Sequence, residues 1–230
     1  MANEIAARIM SGEFAPGMVL PNEADFSVKL KVSRTALREA IKVLAAKGLV
    51  ESRPKIGTRI RPRDHWNMLD PDVLAWQFAT GNVALFADDL FEVRQIIEPA
   101  AAAMAAERAK DEDIAEIDRA YRDMEAAGDD LDASIEPDLR FHLGILAATG
   151  NELLVPLGAL IETALASSIK LSGSSPGATF HSLPLHKAVL NAIKRRDASG
   201  ARLAMRKLLE ETIKDIRHMI DEGKRGVGQA

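Results

Sequence analysis

Apolar residues recur with helical spacing along almost the whole chain, and the clearest instance lies between residues 33 and 47. Leu37, Ala40, Ile41 and Leu44 fall on one face of a helix, while Arg34 and Arg38 sit one turn apart on the other. Ser33 is placed to cap this helix by accepting a bond from a free backbone N–H, and Gly48 to end it as the residue after the C-cap. Upstream, Ile5, Ile9 and Met10 predict a short first helix ending near Ser11-Gly12. Phe14-Ala15-Pro16-Gly17 is a turn signal. Asn22 as N-cap and Glu23 in the first turn open a second helix that runs to about Leu30, and Lys31-Val32 turn the chain into the third. The period then changes. Residues 49–53 and 58–61 alternate around Pro54-Lys55-Ile56-Gly57, which predicts a basic β-hairpin. Three helices and such a hairpin make a winged helix-turn-helix. Its third helix can bury one side and present two arginines to a major groove, where a guanidinium reaches guanine O6 and N7.

From Ala84 onward the pattern is helical and strand signals are weak. Helices are expected near 85–107, 111–127, 132–149, 151–171, 180–196 and 198–222, broken at Gly128-Asp129-Asp130, Gly150-Asn151, 173–177 and 197–200. Residues 62–82, rich in Pro, Asp and Gly, read as a linking stretch with a short helix over 73–78. The expected organisation is a mainly α chain: a winged DNA-binding domain over 1–64, a connector over 65–82, an all-helical effector-binding and dimerisation domain over 83–222, and a flexible tail over 223–230. The first helix has room for only about two and a half turns between Asn3 and Ser11. That is short for a DNA-binding domain and predicts further residues upstream.

Charge sharpens the division. The chain of 230 residues carries a net charge of −4, which alone argues against a nucleic-acid partner. Residues 1–64, however, hold 12 Lys and Arg against 7 Asp and Glu, while the remainder holds 18 against 27. A basic segment joined to an acidic body suggests a polyanion-binding module on a regulatory or oligomerising domain. With 47% hydrophobic residues the chain can build real cores, yet no apolar run approaches a bilayer span and no signal-peptide pattern opens it. There are no cysteines, which excludes disulfides and thiolate metal sites. A cytoplasmic protein without a membrane partner is expected.

These residues resemble the GntR family of bacterial transcription regulators. The matching elements are Ile9-x-x-Gly12, Pro16-Gly17-x-x-Leu20-Pro21-x-Glu23, Val32-Ser33-Arg34-Thr35-x-x-Arg38-Glu39-Ala40, Leu44-x-x-Lys47-Gly48-Leu49-Val50 and Gly57-Thr58. The second half resembles the FCD domain of the FadR-type subfamily through Arg94-x-x-x-Glu98-Pro99, Asp138-x-x-x-His142, Gly150-Asn151, His186, Ala192-Ile193 and Asp197. The stretch His65-Trp66-Asn67-x-Leu69-Asp70-x-Asp72-Val73-Leu74-x-Trp76 looks closest to the galactonate-operon repressor branch. The resemblance implies DNA contacts at Arg34, Arg38 and Gly57. Ser33, Thr35 and the hairpin's Lys55 complete the candidate DNA-facing set. Ala24 departs from the pattern, since the family often has a DNA-holding Arg after Glu23.

Asp138 and His142 are four residues apart and share a helix face, and His186 lies on another expected helix. Spacing alone favours an Asp–His ion pair and an unrelated histidine. The resemblance reverses this, because FCD domains often bind metal through one Asp and three His. The third His is absent: counting 22 residues from His186 gives Leu208. Two readings stand, a three-ligand centre whose open positions go to water and an effector, or a weakened or lost metal. The first is favoured, with Zn ahead of Ni, Mn or another divalent ion. His181 and His218 are expected on the surface. Arg94 lies beside an apolar stripe of Leu90, Val93, Ile97 and Ala101, so it needs a partner or a path to water. Pairing with Glu98 is the plain account. The resemblance implies instead that Arg94 clamps an effector carboxylate, with Ser168 and Lys170 (and neighbouring Ser167 and Ser172) as candidates for further hydroxyls.

The expectation is a homodimeric regulator of double-stranded operator DNA, a repressor responding to a sugar acid, an aldonate such as galactonate. One alternative is a FadR-type regulator of a different carboxylate or an acyl thioester, without metal. Another is a metal-dependent enzyme, disfavoured because no general base stands beside the triad and no cofactor motif is present.

Overall fold

Ser33 accepts a bond from the Ala36 N–H at 3.1 Å, and this side-chain cap starts the third helix of the chain. The computed structural model describes residues 1–230 except 54–55, 81–82, 173–177 and 228–230. It describes the backbone alone at 83–85, 87, 131, 167–172, 178–181, 216 and 218–227. The chain folds into two compact units, Met1–Phe86 and Ala87–Ala230.

The first unit holds α1 (Ala2–Met10), α2 (Glu23–Lys29), α3 (Arg34–Ala46), β1 (Val50–Arg53), β2 (Gly57–Ile60) and α4 (Pro71–Thr80). The Asn22 side chain caps α2, accepting from Asp25 N at 3.0 Å. The end of α3 is a Schellman motif: Leu49 N–H donates to the Leu44 carbonyl and Gly48 N–H to that of Ala45, both at 3.0 Å. Gly48 has φ +82°, and a Cβ there would lie 2.3 Å from the His65 carbonyl oxygen, so this position excludes any side chain. β1 and β2 pair antiparallel, from Val50 opposite Ile60 to Arg53 opposite Gly57. The far edge of β2 is covered by residues 17–20, through Gly17 N–H to Ile60 O at 2.9 Å and Leu20 N–H to Thr58 O at 2.8 Å. Ile5, Phe26, Leu37, Leu44, Leu49 and Ile60 fill the core beneath.

Residues expected to form a connector pack into that same core. Trp66, Val73 and Trp76 are buried with it. Trp66 Nε1–H donates to the Arg61 carbonyl at 3.0 Å, and Trp76 Nε1–H to Asn3 Oδ1 at 3.2 Å. Lys47 at the end of α3 reaches Asp70 and Asp72, each at 2.7 Å. The polar and Pro-rich composition of 62–82 hid this, because its apolar residues meet partners distant in sequence.

The regular elements described in the second unit are helices: α5 (Val83–Arg108), whose first residues lie in the first unit, α6 (Asp111–Ala127), α7 (Leu131–Ala148), α8 (Gly158–Ser172), α9 (Ala178–Lys194) and α10 (Ala198–Val227). One expected helix starts later than its periodicity suggested. The Asn151 side chain accepts from Leu153 N and Thr149 Oγ1 from Asn151 N, both at 3.1 Å, and these bonds hold a turn. A 3-10 turn at Val155–Leu157 follows, and α8 begins at Gly158. An alanine face of α5 (Ala101, Ala102, Ala105) is buried in one apolar core with Phe141, Ile145 and Ile193. Among the described residues no helix is long and apolar enough to cross a membrane.

Gly48→Ala is expected to destabilise the protein by at least ~1–3 kcal/mol, from the left-handed backbone alone, before the clash with His65 is added. Urea unfolding checks this, and an unchanged midpoint would refute the account of how α3 ends.

Candidate functional site

The capped start of α3 leaves Ser33, Arg34, Thr35 and Arg38 exposed, while Leu37, Ala40 and Leu44 are buried. The amphipathic split read from the sequence is therefore realised. Arg38 has a partner the sequence did not indicate: its Nε–H donates to Glu23 Oε2 at 2.6 Å, from the first turn of α2. Both groups remain largely exposed, so the pair directs the guanidinium more than it stabilises the fold. Gly57 stands at the hairpin end with φ +98°. Lys55 lies outside the described residues.

A second constellation lies inside the helical unit. α7 carries Asp138 and His142 one turn apart, α9 brings His186 to them, and α5 contributes Arg94 and Glu98. Asp138 Oδ1 lies 2.9 Å from His186 Nε2 and 3.4 Å from His142 Nε2. One ligand atom from each of the three residues lies within 4.8 Å of the others. The imidazoles are buried and Asp138 is 26% exposed, so the cluster has one accessible side. The Phe141 ring meets both imidazoles edge to face, with centroids 5.7 and 5.1 Å away.

The outer nitrogens decide the chemistry. His186 Nδ1 lies 2.9 Å from the Ser182 carbonyl oxygen, which can only accept, so Nδ1 carries the proton. His142 Nδ1 bonds Glu98 Oε2, and Glu98 Oε1 accepts from Arg94 Nε at 2.5 Å. Both neutral imidazoles would thus aim an Nε2 lone pair at the Asp138 carboxylate, an arrangement of three electron-pair donors that a divalent cation satisfies. The residues present fit a metal. Without a cation, protons fill the role. Burial by itself would lower the His142 pKa, but Glu98 and Asp138 outweigh it and raise the value to about 9. Burial would raise Glu98, and Arg94 and His142 instead hold it down to about 2. Asp138 would likewise be raised by burial, but its bonds to the two histidines keep it well below the ordinary carboxylate range.

Arg94 is 2% exposed, packs over the Phe91 ring and is engaged by Glu98. Its Nη1 is buried without a hydrogen-bond partner among the described residues. Arg94 lines a cavity of about 10 Å³ with Val93, Ile97, Leu157, Leu160 and Ile161. The side chains of Ser168, Lys170, Ser167, Ser172, His181 and His218 lie outside the described residues. Leu208 is buried in the core and supplies no ligand. Sequence reading had Glu98 only as a partner for Arg94. The i,i+4 spacing signals that pair, whereas nothing local signals a bond to His142 across 44 residues.

A winged helix with exposed arginines on its capped helix, carried in one chain with a helical unit built around a buried polar cluster, is the build of a DNA-binding transcriptional regulator. The chain belongs to the GntR family: the family described as bacterial regulatory proteins, gntR family, matches residues 1–60, and the FCD domain matches residues 89–211. It is a regulator of GntR/FCD type and not an enzyme. It is 34% identical over 211 residues to the HTH-type transcriptional regulator YieP of Escherichia coli K12, covering 91% of this chain and 90% of that one. It is 31% identical over 216 residues to the galactonate operon transcriptional repressor of the same organism, covering 94% of each. The fold is shared with Lar, which controls expression of the Listeria monocytogenes agr system, at a TM-score of 0.65 and 20% identity over 94% of both chains.

Two outcomes follow from the buried charges. Arg94→Met leaves Glu98 without its main cationic partner and is expected to cost ~3–5 kcal/mol in denaturant unfolding of chelated protein. No loss would mean that His142 alone suffices for Glu98. The raised His142 value means that its pairing stabilises the metal-free fold fully below about pH 6.5 and is lost as pH rises through about 9. Thermal unfolding of chelated protein across that range should show falling stability, and a flat profile contradicts it.

Proposed function

We propose that this protein is a cytoplasmic, homodimeric repressor of a sugar-acid catabolic operon, released from its operator when an aldonate, such as galactonate, binds at a metal-assisted pocket. The observation that carries the reading is the commitment of both histidine Nδ1 atoms to acceptors, which turns two Nε2 atoms and the Asp138 carboxylate toward one point. Asp138, His142 and His186 would hold the ion, Zn ahead of Ni or Mn, and leave positions open. A bound ion would supply a Lewis-acidic attachment point suited to a carboxylate and a neighbouring hydroxyl. Similarity to a galactonate operon repressor along 94% of the chain supports a sugar acid as the effector.

Arg94 offers the unpartnered Nη1 to the effector's carboxylate. That nitrogen is buried, so a carboxylate reaches it only if neighbouring side chains such as Leu157, Leu160 or Ile161 move. Effector binding and rearrangement of the helical domain are then one event, and only a ligand that prefers the rearranged state shifts the population. In the operator complex two α3 helices would enter major grooves about one DNA turn, roughly 34 Å, apart. Ser33, Arg34, Thr35, Arg38, Lys55 and Gly57 would face DNA, with Arg34 and Arg38 reading base edges.

Titration calorimetry of metal-loaded protein with a panel of aldonates, beside a chelated sample, tests the effector. Tight binding of one acid that chelation abolishes is expected. Binding that survives chelation would favour a metal-free carboxylate sensor. His142→Ala is expected to abolish the effector response and to leave operator binding intact. An unchanged response removes the metal centre from the mechanism. Arg34→Ala should lose ~1–3 kcal/mol of operator affinity and relax specificity at one base pair. A uniform loss on all sequences, with a shallower salt dependence, would place Arg34 on phosphate instead.

A further inference from the structure

Glu98 does more than a structural ion pair requires. It is 2% exposed on α5, and a carboxylate in that setting is unfavourable unless paired and hydrogen-bonded. Arg94, one turn earlier on the same helix, already meets that need through Oε1 at 2.5 Å. The second oxygen is spent on His142 Nδ1, an atom of α7 whose ring partner Nε2 faces Asp138 and His186.

We propose that Glu98 is a positioning residue for the metal centre, orienting His142 for ligation while Arg94 locks the carboxylate in place; this rests on the metal reading above. A carboxylate only accepts, so the bond keeps the His142 proton on Nδ1 and leaves the Nε2 lone pair for an ion. The same bond fixes the ring's rotation, with Phe141 packed edge-on against it. His186 receives the equivalent service from the Ser182 backbone carbonyl. Of the two supports only Glu98 is a side chain, so it alone can be removed by substitution. Two donors, Arg94 Nε–H and His142 Nδ1–H, converge on its two oxygens, and this demands two acceptors. Glutamine has one. Its amide N–H₂ must face either Arg94, donor against donor, or His142, where it favours the tautomer with the proton on Nε2 and blocks ligation.

The test compares full-length wild type, Glu98→Gln and Glu98→Asp. Zinc affinity is measured by competition with a chromophoric chelator, and cobalt-loaded samples give visible absorption spectra. Histidine-labelled, chelated samples are examined by NMR for a downfield Nδ1–H proton, assigned by its loss in His142→Phe. Expected for Glu98→Gln are a folded protein, about 10–100-fold weaker zinc binding, an altered cobalt spectrum and loss of that proton. Glu98→Asp should fall between the two, and it carries the comparison if Glu98→Gln does not fold. Unchanged zinc affinity and an unchanged cobalt spectrum in a folded variant would overturn the proposal and leave Glu98 as a plain partner of Arg94. Wild type that takes up neither zinc nor cobalt removes the metal reading and this use of Glu98 with it. The imidazole proton in the same samples still reports separately whether Glu98 orients His142.

Discussion

The second unit depends on the pairing of buried charge inside an alanine-lined helical core. Ala101, Ala102 and Ala105 are buried in that core, where charged groups are costly unless paired. Arg94, Glu98, His142, Asp138 and His186 nevertheless lie there in one connected chain across α5, α7 and α9. Each link satisfies a group that would otherwise oppose folding. An all-apolar replacement could pack equally well, so stability alone does not account for the chain. Its outer nitrogens are satisfied, its inner ones converge and one carboxylate is partly open to solvent, an arrangement that could hold a metal ion.

The first unit is organised around how α3 begins and ends. Ser33 starts it with a side-chain bond, and Gly48 ends it where the His65 carbonyl leaves no space for a Cβ. Lys47 then ties that end to Asp70 and Asp72, while Trp76 anchors α4 to α1 through Asn3. A helix fixed at both ends presents the exposed Arg34 and Arg38 from a defined surface. Glu23 adds orientation for Arg38 from a neighbouring helix. The same interaction shows how the function is divided. The caps and ties lie beneath the exposed face of α3, while in the second unit, among the described residues, a buried Arg94 nitrogen without a partner borders a cavity of about 10 Å³.

Much of this was legible in the sequence because it is local. Asn22 and Ser33 cap helices by bonds three residues long, and Gly48 closes one within five. The alternation on either side of Pro54 is a property of neighbouring residues, and the hairpin followed from it. Asp138 and His142 share a face by spacing alone, and family resemblance supplied His186. The expected helix over 151–171 began late because Thr149 and Asn151 spend their side chains on turn bonds that periodicity does not register.

What the sequence by itself determined is the series of elements, their caps and breaks, and the amphipathic face that exposes two arginines, since each depends on residues within a turn or two. The tertiary structure decided which distant groups share one environment. Asp70 meets Lys47, Asn3 meets Trp76, and Glu98 meets His142 only because packed helices bring them within hydrogen-bond reach. Burial then fixes what those meetings mean. The same glutamate on a solvated helix would be an ordinary partner for an arginine four residues away; enclosed between α5 and α7, it must satisfy two donors at once and in doing so sets the orientation of a histidine.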